Sequence, residues 1–417
     1  MPNAMASRAE NPSGIRWGWV VFAVALVVRV TPVFFMGGNG YTFDSVVYYA
    51  PARAIADGTG FRFHHHGEWS DLYVAEPGYS FFLAFWLWMG VDIGKTLLLI
   101  QAALGAILAP AIYFYVHRRQ ARAAPAAALF YALDPLAMGP CYFVLREIFV
   151  MALVVATICA IDLAGRFGAA VKAVLLGLGP LSFPVLGFWS IWYWLIDRWQ
   201  PVDRRRVGLT VVAVSLVVSS SWMVRNMYLS DGNFVFRRHL TSCLLYYTAQ
   251  YDFPWLPDTS EPGFQKIVRA AEDRYGRYAV AEQKELEKRV LRDTYDLFKA
   301  DPLRVMWRFI KCNFWFWVEV PGAMGLTKSK PHLHTVLMTF HLVQVILFFA
   351  GVWLVVRSGV ASAYRFVWST PLYLAIFIFP FMPIPRYYVA LVPLFDIMAG
   401  VAIVNMWDRL RDHRIDQ

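Results

Sequence analysis

The chain has 417 residues, of which 58% are hydrophobic and only 16% are charged. Its mean hydropathy of +0.45 excludes the soluble globular classes and makes lipid the expected solvent. The net charge is +10, but the short basic stretches stand beside apolar runs, where they act as orientation signals. They therefore argue against a nucleic-acid partner.

Apolar runs of about 20 residues, the length that crosses a bilayer as a helix, recur along the chain. Ten spans are predicted, at residues 17–36, 96–116, 124–140, 142–163, 171–183, 184–197, 207–223, 334–356, 364–381 and 386–406. The stretch 78–91 is too short to span and is predicted to be partial or re-entrant. The predicted fold class is an all-α integral membrane protein of about 10–11 transmembrane helices with a helical extracytoplasmic insertion.

Arginine clusters mark the loops and ends expected in the cytoplasm. They comprise Arg118, Arg119 and Arg122, then Arg198 with Arg204 to Arg206, then Arg357 and Arg365, and finally Arg409, Arg411 and Arg414. The predicted parts are a cytoplasmic N-terminus (1–16), an N-terminal transmembrane bundle (17–223) with a first extracytoplasmic loop (37–77), an extracytoplasmic and interfacial segment (224–330), C-terminal transmembrane helices (331–406) and a cytoplasmic tail (407–417). The first run contains Arg29 and lacks a cleavage site, so we expect a retained span.

The segment 224–330 is predicted to be helical. Its stretch 264–300 is rich in charged residues and alanine, which indicates a water-facing helix. Asp301-Pro302 then breaks the helix. Residues 303–320 mix basic and aromatic side chains, a pattern typical of a helix that lies in the headgroup interface.

The clearest chemical signal follows the first span, where Asp44 opens a predicted amphipathic helix that begins Ser45-Val46-Val47-Tyr48. An acid at this position could cap the helix by accepting hydrogen bonds from its first N–H groups. It could equally be a catalytic carboxylate, and the two roles can coexist. The spacing alone leaves both interpretations open.

Three separated motifs carry a family resemblance. The first is Asp44, Tyr48, Ala52, Ile55 and Gly58 at the spacing Asp-x3-Tyr-x3-Ala-x2-Ile-x2-Gly, followed by Pro77-Gly78-Tyr79. The second is Ser221-Trp222-Met223-Val224-Arg225-Asn226 with Gly232-Asn233-Phe234-Val235, and the third is Pro385-Arg386-Tyr387 with Pro393. In this order they resemble motifs of the polytopic GT-C type glycosyltransferases, particularly bacterial relatives of protein O-mannosyltransferases and of the lipid A aminoarabinose transferase.

This resemblance implies a GT-C-like helical bundle and an inverting transfer of sugar from a polyprenyl-phosphate donor in the bilayer. The acceptor would be a lipid, glycan or protein of the cell envelope, at the extracytoplasmic face of a bacterial inner membrane. The resemblance also implies that Asp44 activates the acceptor, which suits the need for a base near a carbon that gains positive charge. A mannosyltransferase-like activity is thus expected, without a nucleotide sugar.

The sequence departs from the family pattern directly after Asp44. Many relatives have a second acid there, whereas this chain has Ser45. The candidates for a second catalytic acid are Glu76, just before the Pro-Gly-Tyr motif, and Glu147 at the outer side of a span. Arg146 is adjacent to Glu147, so the two could instead neutralise each other.

A departing polyprenyl phosphate carries negative charge, which guanidinium groups bind through paired hydrogen bonds. Arg225 and Arg386 stand at span ends, where lipid meets water. Each could merely extend toward the headgroups, but the family-like contexts favour substrate binding. The other predicted contacts to lipid phosphate or sugar are Tyr48, Arg146, Asn226 and Tyr387.

His64, His65 and His66 with Glu68 are the one group that suggests a metal. Consecutive residues rarely converge on one ion, so no metal site is assigned, and a divalent metal stays an open alternative. No other cofactor is expected.

Two other function classes fit a basic polytopic protein. A lipid or glycan transporter, such as a flippase, would place ionisable residues near the bilayer midplane. Here Asp44, Glu76 and Glu147 gather near one face, which favours an enzyme. A glycan ligase or polymerase also works at the outer face but needs no acid after the first span.

Overall fold

The computed structural model describes residues 12–35, 37–42, 45–65, 68–70, 76–197, 202–229, 283–318, 331–378 and 385–415. Their α-helices are α1 (Pro12–Phe35), α2 (Ser45–Ala56), α3 (Gly78–Trp88), α4 (Lys95–His117), α5 (Ala124–Leu133), α6 (Pro135–Met138), α7 (Glu147–Ala160), α8 (Gly165–Ser182), α9 (Trp189–Asp197), α10 (Val202–Leu229), α11 (Gln283–Ala300), α12 (Pro302–Val318), α13 (Pro331–Arg357), α14 (Arg365–Ile378) and α15 (Val392–Ile415). Short 3-10 helices lie at Ala121–Ala123, Gly139–Tyr142, Pro184–Leu186, Ala361–Tyr364 and Pro385–Leu391.

Five helical stretches are long and apolar enough to cross a membrane, namely Gly14–Phe35, Lys95–His117, Arg206–Leu229, His332–Arg357 and Tyr388–Asp412. Helices are stable in lipid because they satisfy their backbone hydrogen bonds internally. Each of the ten predicted spans falls on helix, although the stretch 124–140 is divided into α5 and α6. The prediction of a helical integral membrane protein is confirmed.

The stretch 78–91 contains α3, which has 11 residues and is about 16 Å long at 1.5 Å per residue. That is too short to cross the hydrocarbon core. Lys95 Nζ, at the start of α4, donates to the carbonyl of Phe34, at the end of α1 (3.5 Å). The end of α1 and the start of α4 therefore lie at the same end of the bundle.

Ion pairs tie the helix ends together at the opposite end of the bundle, where the sequence predicts the cytoplasm. Arg119 Nη2 lies 2.6 Å from Asp162 Oδ2, and its Nε donates to the carbonyl of Ala363 (2.7 Å). Arg365 pairs with Asp197 (2.5 Å). These bonds join α4, α7, α9 and α14.

The core forms where α15 and α4 meet their neighbours at close range. Helix α15 packs on α5 and α13, and α4 packs on α1, α5 and α7. A Cβ atom at Gly400 would collide with the backbone of Ala127, and one at Gly351 with the carbonyl oxygen of Met398. Small residues permit such backbone approach in membrane bundles, where dispersion contacts replace the hydrophobic drive.

One short hairpin interrupts the helical pattern among the described residues. Strand β1 (Phe63–His65) pairs antiparallel with β2 (Glu68–Ser70), with His65 opposite Glu68. Aromatic residues such as Phe63 and Trp69 favour strands. The sequence analysis assigns these residues to the first extracytoplasmic loop (37–77) without a strand, so it does not predict this hairpin.

The described part of the segment 224–330 consists of the last residues of α10 (224–229), α11 and α12. The chain breaks where the sequence predicts it, because Asp301 Oδ1 accepts the N–H of Arg304 (3.0 Å) and Pro302 is the first residue of α12. Leu303 and Trp307 on α12 are 83% and 62% exposed. This apolar exposed face supports the interpretation of α12 as an interfacial helix.

Candidate functional site

The first outer loop is fixed to the bundle on both sides of the predicted catalytic acid. The N–H of Val144 donates to the carbonyl of Gly40 (2.9 Å). The Thr42 N–H donates to Ser45 Oγ (2.8 Å), and Ser45 is fully buried at the start of α2. Asp44 itself lies outside the described residues. The described residues nearest to it are held in place, Gly40 by Val144 before α7 and Ser45 by burial at the start of α2.

Two of the predicted site residues meet in a buried ion pair. Arg146 Nη1 lies 2.5 Å from Glu76 Oε2, and the two side chains are only 3% and 9% exposed. The two residues are 70 positions apart in sequence. Each charge of a pair with this burial depends on the other, because removal of one leaves its partner buried in surroundings of low polarity without a counter-ion.

Aromatic rings surround the Arg146 guanidinium. Its Cζ atom lies 5.0 Å from the ring centroid of Phe183 and 5.9 Å from that of Tyr48. Tyr48 packs edge-on against Tyr79 (5.3 Å), whose hydroxyl donates to Gln101 Oε1 (2.5 Å). The predicted residue Tyr48 therefore belongs to the same cluster as Arg146.

Glu147 is the first residue of α7 and is buried. A carboxylate is favoured there by the exposed N–H groups and the dipole of the helix. Arg146, the residue before Glu147, forms its short ion pair with Glu76. Whether Arg146 also offsets the charge of Glu147 stays a prediction.

A cleft opens beside Glu76, between the start of α3 and the outer ends of α8 and α10. It is small, with a cavity volume of about 20 Å³, and is walled by Glu76, Pro180, Leu181, Trp222 and Met223, among others. Most of the wall is apolar. Trp222 Nε1 is buried and has no hydrogen-bond partner among the described residues.

Arg225 connects the end of α10 to the first outer loop. It donates to the Phe61 carbonyl and to Asn226 Oδ1, both at 3.1 Å. Its Cζ lies 4.5 Å from the centroid of Trp222. Asn226 is fully buried, and the rings of Phe61 and Trp222 pack edge-on at 4.6 Å. Because Trp222 also walls the cleft, Arg225 and Asn226 lie next to the Glu76 side of the site.

The third predicted motif lies on the 3-10 helix Pro385–Leu391, which contacts α7 and α15. This places the backbone of Arg386 and Tyr387 on an element packed against the helix that begins at Glu147. The side chains of both residues lie outside the described residues. So do those of His64, His65 and Glu68 and the whole of His66, and the metal interpretation is not tested.

A polar network stabilises the outward face of α2. The Ile93 N–H (2.7 Å) and the Tyr49 hydroxyl (2.9 Å) both donate to Asp92 Oδ1, and they hold the pKa of Asp92 below its usual value. Arg53 pairs with Asp57 (3.3 Å) and with Asp92 (3.7 Å). These exposed groups orient α2, which carries Tyr48 on its buried face.

Sequence reasoning did not assign Trp222, Phe61 or Tyr79 to the site. Trp222 and Tyr79 stand inside the motifs that carry the family resemblance, so the signal was present. Phe61 gave no comparable signal, because its role comes from a contact with a helix more than 160 residues later.

The arrangement combines a buried carboxylate–guanidinium pair, a second buried carboxylate and aromatic walls around a cleft. Carboxylates accept hydrogen bonds from sugar hydroxyls, guanidinium groups bind phosphate and rings stack on sugar faces. The described site therefore has groups that can bind hydroxyl and phosphate groups.

No protein-family model matches this chain, and no curated protein matches it in sequence. Among solved structures, the chain is similar to ArnT from Cupriavidus metallidurans in the apo state. The two are 13% identical, with a TM-score of 0.42, and the match covers 93% of this chain and 78% of that one.

Proposed function

We propose that this protein is a GT-C type membrane glycosyltransferase. It moves a sugar from a polyprenyl-phosphate donor in the bilayer to a lipid, glycan or protein acceptor at the extracytoplasmic face. The observation that carries the proposal is the cluster of Tyr48, Glu76, Arg146 and Glu147 at one end of the bundle, next to the loop of the first motif. The sequence motifs give this cluster its chemical meaning.

In this proposal Asp44 is the general base that takes a proton from the acceptor as the glycosidic bond to phosphate breaks. Arg225 and Arg386 bind the phosphate, whose negative charge grows as it leaves. The Glu76–Arg146 pair holds the site in shape, and Glu147 is a second acid that can accept hydrogen bonds from the sugar. Trp222 offers a ring and an N–H group to the ligand.

The proposal is tested with purified protein, a radiolabelled polyprenyl-phosphate sugar and crude membrane acceptors. We expect transfer by the wild type and a loss of at least about a hundredfold in Asp44→Asn, the size typical of a general base. The matched control is Asp57→Asn, an exposed acid of the same outer segment whose partner is Arg53. Equal transfer by wild type and Asp44→Asn would exclude the role of Asp44.

The transporter alternative rests on a different pair of acids. Asp134 and Asp396 are fully buried inside the bundle, where transporters place ionisable groups. If neither wild type nor variant transfers sugar, but liposomes containing the protein move a fluorescent polyprenyl-phosphate lipid between leaflets, the transporter class replaces the enzyme. Transfer by the wild type retains the glycosyltransferase.

A further inference from the structure

Two carboxyl groups that the proposed transfer does not use lie buried inside the bundle. Asp134 stands between α5 and α6, where its Oδ1 accepts the N–H of Leu136 (2.7 Å). Asp396 lies near the start of α15. Both residues are 0% exposed. Ionisable groups at such positions are costly, and their charge must be balanced or removed.

A single side chain bridges the two acids. Gln344 Nε2 lies 2.7 Å from Asp134 Oδ2 and 2.6 Å from Asp396 Oδ1, so the two carboxyl groups meet at one amide nitrogen. The nitrogen of the amide must face them, because an amide oxygen would repel both acceptors. Gln344 lies near the middle of the span His332–Arg357, so this contact is deep in the bundle.

Two neighbouring carboxylates in a medium of low polarity cannot both stay ionised, because their repulsion adds to the cost of burial. Asp396 Oδ2 has no hydrogen-bond partner among the described residues. A proton on Asp396 removes one charge and turns this oxygen into a donor toward the Asp134 carboxylate. A single proton therefore removes the repulsion between the two carboxylates and gives Asp396 Oδ2 a hydrogen-bond partner.

The charge that remains has a buried counterpart. Arg29 is 0% exposed and donates to the carbonyls of Ala132 (2.8 Å) and Tyr131 (3.0 Å), just before Asp134. It attracts both carboxyl groups. One carboxylate, one carboxylic acid and one guanidinium together carry no net charge.

The other titratable groups near the pair lie on three neighbouring elements. They are Tyr131 on α5, His341 on α13 and Tyr388 on the 3-10 helix Pro385–Leu391. His341 Nδ1 lies 3.4 Å from Gln344 Oε1, and its ring stacks on Tyr388 at 4.4 Å. The pair is thus connected to the short helix that also carries Arg386.

We propose that Asp134 and Asp396 form a buried proton-binding site, in which the two carboxyl groups share one proton under the bridge of Gln344. The site joins α15 and α13 to the N-terminal helices. It does not depend on the proposed sugar transfer, since its ligand is a proton and its residues lie on other elements.

Infrared spectroscopy of the purified full-length protein in lipid nanodiscs tests the site. We expect a protonated-carboxyl stretching band at neutral pH that exchanges slowly in D2O. Asp134→Asn and Asp396→Asn should each lose it, because the remaining acid then ionises beside Arg29. The matched control Asp92→Asn removes an acid that is 63% exposed and should keep the band.

The wild-type spectrum decides the question even if a variant fails to fold. Absence of a protonated-carboxyl band at neutral pH would overturn the proposal. A band that both variants retain, or carboxylate bands that shift only when sodium or potassium is added, would overturn it too. Sugar transfer is not part of this readout, so failure of the proposed function would not affect the result.

Discussion

The ion pair between Glu76 and Arg146 permits a double-mutant test of how the candidate site is held together. The two side chains are 9% and 3% exposed, so Glu76→Gln or Arg146→Gln each leaves a buried charge that has lost this partner. Loss of one member of such a pair costs about 3–5 kcal/mol of stability. The double variant removes both charges and should cost clearly less than the sum of the single variants.

Thermal unfolding of the detergent-solubilised variants, followed by tryptophan fluorescence, measures this coupling. The exposed pair of Arg53 and Asp57, whose side chains are 51% and 52% exposed, provides a control of the same chemistry. Its loss in Asp57→Asn should cost no more than about 1 kcal/mol. If the single variants at Glu76 and Arg146 behave like this control, or if their losses simply add, the pair does not stabilise the site.

Three further predictions follow from the described contacts. Arg225→Lys should lower sugar transfer about tenfold in the same radiolabel assay, because a lysine cannot keep both hydrogen bonds and the stacking; full activity would refute this. Gly400→Leu should abolish the monodisperse peak in size-exclusion chromatography, whereas Gly38→Leu, with open space around it, should retain it. Asp92 has a lowered pKa, so its contribution to stability is present above about pH 4 and is lost as the pH falls through its folded pKa. The difference in melting temperature between wild type and Tyr49→Phe should therefore shrink at low pH, because the hydrogen bond from Tyr49 to the Asp92 carboxylate is lost there. A difference that does not change with pH would contradict this role of Asp92.

The helices were predictable because the bilayer restricts the backbone so strongly. An apolar run in lipid has few options other than a helix, and the runs therefore predict the helical stretches and the short α3. The division at Asp134 was not predicted, although an acid followed by proline is a recognisable helix start. The hairpin of β1 and β2 was missed because three-residue strands carry little pattern.

Sequence reasoning chose residues of the candidate site but could not give their partners. Motif context selected Glu76 and Arg225, and Arg146 was chosen because it stands beside Glu147 at the end of a predicted span. The spacing gave no information on partners, so the ion pair of Arg146 with Glu76, 70 positions earlier, was not predicted. The bond from Arg225 to Phe61 likewise depends on how the loop folds back over α10.

The acids of this protein fall into two groups, and the difference bears on function. Glu76 walls a small cleft at one end of the bundle and Glu147 directly follows its partner Arg146, whereas Asp134 and Asp396 have no exposed surface. A transporter needs its midplane acids to meet a passing ligand. Here Gln344 already bridges both acids, and Arg29 holds the end of α5 next to them. A proton bound there would hold helices together and would not accompany a ligand across the membrane. The chemistry of the site is then left to Glu76 and Glu147, which favours an enzyme over a carrier.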